Sequence, residues 1–212
     1  MAATNPTTAN PAEPKPISVL FVCLGNICRS PMAEAIFRHQ ITTTAAPPEL
    51  AFSTIDSAGT GAYHTNSPPD PRTMSTLRNH GITTYTHAAR KIKKQDFFAF
   101  DYILAMDSEN LENLAYERRR AVRGDKQSGQ DDAEAEAAGA GAGAKIAEVR
   151  LIGDFSSDGS VTARPGEGEV VGDPYYGGKE GFEVIYAQLV RLCQGFLKFL
   201  AREAKRRARG LD

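Results

Sequence analysis

The chain has 212 residues, 41% of them apolar and 24% charged, proportions of an ordinary globular protein long enough to bury one sizeable core. A formal net charge of −1 argues against a general polyanion binder, so nucleic acid is not an implied partner. Three cysteines do not make a disulfide framework, no uninterrupted apolar run reaches the ~18–20 residues of a bilayer span, and the N-terminus shows neither a secretory nor a mitochondrial address.

Residues 1–16 hold Thr, Ala, Asn and Pro with almost no large apolar side chain and are expected to form a disordered tail, because they cannot offset the entropy of ordering. A first strand is expected over 17–22, ending at Cys23, followed by a tight loop and a helix opened by Pro31 and running to about Thr43. Pro47-Pro48 breaks the chain, and Ala51 to Ser57 reads as strand two. Asp70 and Pro71 are a helix entry, cap and first position, and Gly81 is the natural residue past that helix's end. Lys93 to Phe98 reads as a short helix, Asp101 to Met106 as a third buried strand, and Asp107 or Ser108 caps a helix to about Val122. Residues 124–144 turn polar and then Ala/Gly-rich, the composition of a flexible insertion. Strand four follows over Ile146 to Ile152, then a glycine-rich excursion over 156–168 and the loop carrying Asp173. The last helix starts near Lys179, with Phe182, Ile185, Leu189, Leu192, Phe196 and Phe199 at helical spacing as a core stripe. The alternation predicts one domain over 17–202, an α/β fold with a parallel sheet covered on both faces, with a basic tail at 203–212.

The chemistry concentrates at Cys23. Strand, loop and helix place a thiol at a strand end and Arg29 just before a helix N-terminus. Backbone N–H groups of Leu24, Gly25, Asn26, Ile27, Cys28, Arg29 and Ser30 can curl into an anion nest, and the helix dipole adds positive potential. Arg29 supplies a planar fork for two phosphate oxygens. The same field favours a thiolate over a thiol at Cys23, which sets a tetrahedral dianion in line for transfer to sulfur.

Cys23 to Arg29, with Ser30-Pro31-Met32-Ala33-Glu34 after it, resembles the low-molecular-weight protein tyrosine phosphatases. The likeness continues through Asp56-Ser57-Ala58-Gly59-Thr60, Phe100 to Asp107 and Asp173-Pro174-Tyr175-Tyr176-Gly177, and it spans about residues 17–123 and 145–202. The resemblance implies a three-layer αβα fold with a four-stranded parallel sheet, order 2-1-3-4, flavodoxin-like in outline. It implies metal-free hydrolysis of phosphotyrosine in proteins, and of small aryl phosphates, with no cofactor. Cys23 is then the nucleophile, Arg29 the anion grip and Asp173 the general acid and base. Asn26, Ser30, Ser57 and His87 match the residues that hold the loop; Leu24, Tyr63 and Tyr175 match the slot for the aromatic ring. Cys28 matches a redox partner for Cys23, and Tyr175 and Tyr176 match regulatory phosphorylation sites. The implied partners are phosphotyrosine-containing proteins, the implied state a monomer or weak dimer, and the expected compartment the cytoplasm, because a working thiolate needs reducing conditions.

Relatives on the same scaffold are distinguished by particular residues. Arsenate reductases need a downstream pair of resolving cysteines, and only Cys193 lies beyond the loop. Phosphoarginine phosphatases carry Thr where Ile27 stands, and the bulkier Ile argues for tyrosine. A catalytically dead phosphotyrosine-binding module would have lost Cys23, Arg29 or Asp173, all of which are present. Cys193 is expected in the core, His80 at a helix end, and His39 and His64 carry no assigned chemistry.

Overall fold

The computed structural model describes residues 15–44, 50–123, 145–176 and 178–210. The expected N-terminal tail, apart from Lys15 and Pro16, and the 124–144 insertion lie outside the described residues. In chain order the elements are β1 (Ile17–Cys23), α1 (Arg29–Thr43), β2 (Phe52–Gly59), α2 (Pro71–Asn79), α3 (Asp96–Ala99), β3 (Tyr102–Ala105), α4 (Ser108–Arg123), β4 (Glu148–Leu151) and α5 (Lys179–Ala208). The strands form one sheet in the order β2-β1-β3-β4, with every pairing parallel, as the resemblance implies.

Strand β1 is buried on both sides, and its alternation sorts the core into two halves. Val19, Phe21 and Cys23 face the layer built by α1, α2 and α5, where Phe37, Phe182 and Phe196 are packed. Leu20 and Val22 face the opposite layer, with Phe97, Ile103 and Leu114. Helix α5 is long and apolar enough, by length and composition alone, to cross a bilayer. Its apolar stripe, from Phe182 through Ile185, Leu189 and Leu192 to Phe196, is instead buried in the core.

Asp70 caps α2, accepting from the Arg72 amide at 2.8 Å, with Pro71 as first helical residue. Past its end Gly81 has φ +82°, the left-handed conformation for which glycine has no Cβ penalty. Among the boundaries that differ from the sequence expectation, three have a local physical reason. Helix α1 begins at Arg29, so Pro31 is its third residue; the first i−4 bond runs from Met32 N–H to the Cys28 carbonyl, and a missing N–H in the first turn has no intrahelical partner to lose. The short helix expected over 93–98 forms at Asp96–Ala99, where the Asp96 carboxylate accepts from the Lys93 amide at 2.7 Å. The basic segment after residue 202 is helical through Ala208, continuous with α5, where its cations face the negative end of the helix dipole.

Candidate active site

Parallel strands put their C-terminal ends on one edge, and the order reversal beside β1 opens a crevice there. Cys23 ends β1, and the loop from Leu24 to Cys28 turns over it into α1. Asn26 has φ +56°, a left-handed conformation that Asn tolerates better than most residues. The turn aims the Asn26 amide at the Cys23 sulfur, N to Sγ 3.3 Å, and Ser30 Oγ lies 3.1 Å from the same atom. On β2, Gly59 allows the loop to sit close: a Cβ there would stand 2.7 Å from the Leu24 carbonyl oxygen and 3.2 Å from the Asn26 nitrogen.

A buried polar network holds this loop from below. Asn26 Nδ2 donates to Ser30 Oγ and Ser57 Oγ, each at 3.0 Å. Its Oδ1 accepts from the Arg90 amide and stands 2.8 Å from His87 Nε2. Because that oxygen can only accept, Nε2 carries the imidazole proton, and His87 Nδ1 faces Glu34 at 3.5 Å and Asp56 at 3.9 Å. Ser57 donates to Glu34 Oε2 at 2.9 Å, and Tyr85 donates to the same oxygen at 2.8 Å. Burial pushes Glu34 toward its protonated form, an effect opposed by these two hydroxyl donors. Burial likewise lowers the basicity of His87, while Asp56 pulls the other way.

Arg29 is buried and gripped from two sides. Nη1 reaches Asp107 Oδ2 at 2.5 Å and the Val171 carbonyl at 3.0 Å, and Nη2 reaches Asp173 Oδ2 at 3.1 Å. Burial opposes its charge, but Cys23, Asp107 and Asp173 outweigh that and raise its pKa. The Val171 amide donates to the Met106 carbonyl at 2.7 Å, which fastens the base of the Asp173 loop to the end of β3.

The cup so formed is a cavity of about 380 Å³ lined by Cys23, Leu24, Ile27, Arg29, Asp173 and Tyr175, with Tyr63, His64 and Tyr176 at its mouth. Every residue predicted for the loop, its supports and the slot is therefore placed in or directly beneath one site. Of the residues predicted to wall the slot, Tyr63 is 78% exposed and Tyr175 40%, so the walls stand partly in solvent; Tyr176 is 95% exposed. Cys28 is buried and lines the same cavity; burial and the neighbouring Asp70 push its thiol up to about 12. Cys193 is a core residue, and His80 ends α2 stacked on Tyr186 at 3.9 Å between ring centres.

Sequence reasoning missed four participants. Asp107, read only as a helix cap, does cap α4 through Asn110 N–H at 2.7 Å but also holds Arg29. Glu34 and Tyr85 anchor the loop scaffold, and His64 lines the cavity. Glu34 had a signal: it is a carboxylate set among Met32, Ala33, Ala35, Ile36 and Phe37, a run that is otherwise apolar. His64 had none, since its position follows only from the path of the 60–67 loop.

Comparison with known proteins gives the family and the fold. The family model of low molecular weight phosphotyrosine protein phosphatases matches residues 18–127. The protein of that name from Schizosaccharomyces pombe is 45% identical over 187 residues, 88% of this chain and 99% of its own length. A solved protein tyrosine phosphatase from Entamoeba histolytica superposes with a TM-score of 0.64 at 29% identity, covering 89% of this chain and 99% of that one. A Drosophila arginine phosphatase superposes with a TM-score of 0.65 at 30% identity, covering 86% and 97%. Matched in sequence across the loop that carries Cys23 and Arg29, and in fold across nearly all of the sheet and its helices, the chain belongs to the low molecular weight phosphotyrosine protein phosphatases.

Proposed function

We propose that this phosphatase hydrolyses phosphotyrosine in proteins by two in-line displacements at Cys23, with Asp173 moving the proton in both. The observation that carries the reading is the placement of Arg29. Asp107 and the Val171 carbonyl fix one side of its guanidinium, while the other side meets Asp173 across the mouth of the cup that ends at the Cys23 sulfur. A phosphate dianion in that cup takes up the free valence of the fork and the loop amides.

In the first step the Cys23 thiolate attacks phosphorus, the bond from phosphorus to the aryl oxygen breaks, and Asp173 gives its proton to the departing phenolate oxygen. In the second step water attacks the cysteinyl phosphate, Asp173 takes the water proton, and the thiolate leaves with release of inorganic phosphate. The protein's contribution is positioning and charge stabilisation of the transferring group. Ser30 Oγ, held by Asn26 and close to the sulfur, supplies a hydrogen bond that eases departure of the thiolate. Leu24, Tyr63 and Tyr175 form a slot for the phenyl ring, and a phosphoserine is too short to reach from its rim to the sulfur. Ile27 narrows the floor against a phosphoguanidino group. Cys28, which lines the same cavity, condenses with a Cys23 sulfenic acid to a disulfide and water, and Tyr175 and Tyr176, 40% and 95% exposed, are the phosphorylation sites. Such a thiolate works in a reducing compartment, so we assign the protein to the cytoplasm.

The test is steady-state hydrolysis of matched phosphotyrosine, phosphoserine and phosphoarginine peptides without added metal, with Cys23→Ser and Asp173→Ala in parallel. The expected outcome is that phosphotyrosine turnover dominates, Cys23→Ser is inactive, and Asp173→Ala loses roughly 100- to 10,000-fold, the contribution of a positioned acid. Faster turnover of phosphoarginine would reassign the substrate, and full activity in Cys23→Ser would refute the covalent route.

A further inference from the structure

Arg72, in the first turn of α2, links the two halves of the site. Its Nε and Nη2 pair with the two oxygens of Asp70 at 3.0 and 2.8 Å. Asp70 is itself fastened to the nucleophile loop, its amide donating to the Ile27 carbonyl at 2.8 Å. From that anchor the guanidinium extends to the acid loop: Nη1 donates to the Tyr175 carbonyl at 3.1 Å. Its Cζ stands 4.6 Å from the ring centre of Phe182 on α5 and 5.6 Å from that of Tyr175, a cation over two aromatic faces. Tyr175 in turn donates its amide to Asp173 Oδ1 at 3.0 Å, which leaves Asp173 Oδ2 as the oxygen facing the cup.

We propose that Arg72 is a positioning residue for proton transfer, a strut from the Cys23 loop through Asp70 to Tyr175 that sets where Asp173 Oδ2 stands relative to the leaving oxygen. This rests on the reading of Asp173 as the proton donor. A side chain whose only role was to stabilise the fold would slow all esters alike. A strut for the acid slows only those whose leaving group needs the proton, because a phenol made acidic by nitro groups departs unassisted while an unsubstituted phenol does not.

The experiment measures kcat/KM, which reads the first transfer, for aryl phosphates graded from dinitrophenyl to phenyl phosphate. The proteins are wild type, Asp173→Ala, Arg72→Met and Arg72→Lys. Met keeps an apolar stem against Phe182, and Lys keeps the charge but not the fork. Arg72→Met loses about 10- to 100-fold on phenyl phosphate and less than about threefold on dinitrophenyl phosphate, since a displaced acid forfeits part of its contribution. Arg72→Lys shows the same slope to a smaller degree, and Asp173→Ala gives the steepest. If both Arg72 variants run parallel to wild type while Asp173→Ala is steep, the strut is refuted and the acid stands. If Asp173→Ala is itself parallel to wild type, the acid reading fails and the strut falls with it. Should Arg72→Met not fold, Arg72→Lys decides by the same slope.

Discussion

Replacing Asn26 by Ala probes the scaffold under the nucleophile loop. Asn26 is fully buried, sits at φ +56°, and engages Ser30, Ser57, His87 and the Arg90 amide at once. On truncation His87 can turn to Ser57 Oγ, 3.3 Å away, but the Arg90 amide is a fixed backbone donor and is stranded. One buried donor left unsatisfied costs ~1–3 kcal/mol, and a left-handed backbone at a residue other than Gly or Asn adds ~1–2 kcal/mol. The expected loss is therefore ~2–5 kcal/mol, a large share of a domain's ~5–15 kcal/mol. Asn26→Gly removes the backbone strain but adds ~0.5–1 kcal/mol of unfolded-chain entropy, so it should be the more stable of the two by about 0.5–1 kcal/mol. Equilibrium urea unfolding followed by circular dichroism measures both, and kcat/KM on p-nitrophenyl phosphate should fall about 100-fold in each as the loop loses its geometry. Asn26→Ala within ~0.5 kcal/mol of wild type, the range of an ordinary surface change, would refute the network's role. Asn26→Gly less stable than Asn26→Ala would refute the strain argument.

Asp154 offers a second test, just before the glycine-rich excursion that precedes the acid loop. It is fully buried and accepts from the amides of Leu151, Gly166 and Gly168 at 3.0, 2.9 and 2.8 Å. Asp154→Ala strands these donors together, and a loss of about 3 kcal/mol lowers the melting temperature by roughly 6–12 °C in a chain of this size; an unchanged melt would show that the excursion is not pinned there. The thiols supply a third. Cys28, with its pKa pushed up to about 12 by burial and Asp70, stays a thiol at neutral pH, so iodoacetamide at pH 7 labels Cys23 ahead of Cys28 and of the buried Cys193, read by peptide mass spectrometry. The sign for stability follows: an unfolded thiol gives up its proton near pH ~8.5, earlier than folded Cys28. The stability it contributes is therefore full below that value and declines as pH rises toward about 12. Equal labelling of Cys23 and Cys28 would overturn the assignment.

Much of this protein is determined within short stretches of sequence. The apolar run of β1, the loop with Gly25 and Asn26, and the helix that follows are contiguous, so the nest, the thiol and Arg29 were legible together from residues 19–37. Asp70 with Pro71, and Gly81 past the end of α2, mark a helix by local capping chemistry that depends on no distant contact. The alternation of strands and helices fixed the parallel sheet, because a crossover connection has one favoured hand. Even the miss at the start of α1 was local, a proline tolerated anywhere in a turn whose amides have no partners.

What only the tertiary structure decided are meetings between residues far apart in the chain. Arg29 meets Asp107 across 78 residues and Asp173 across 144, and Tyr85 meets Glu34 across 51. No local propensity encodes such pairs. They arise because parallel strands deliver the ends of β1 and β3 and the start of the acid loop to one edge, with α2 carrying Arg72 in beside them. A carboxylate that reads as a helix cap becomes half of a guanidinium grip, and a glutamate inside an apolar helix face becomes the foundation of a loop. The sequence specifies which groups are available; the burial of the sheet, which leaves each polar group no partner but another polar group, decides which of them touch.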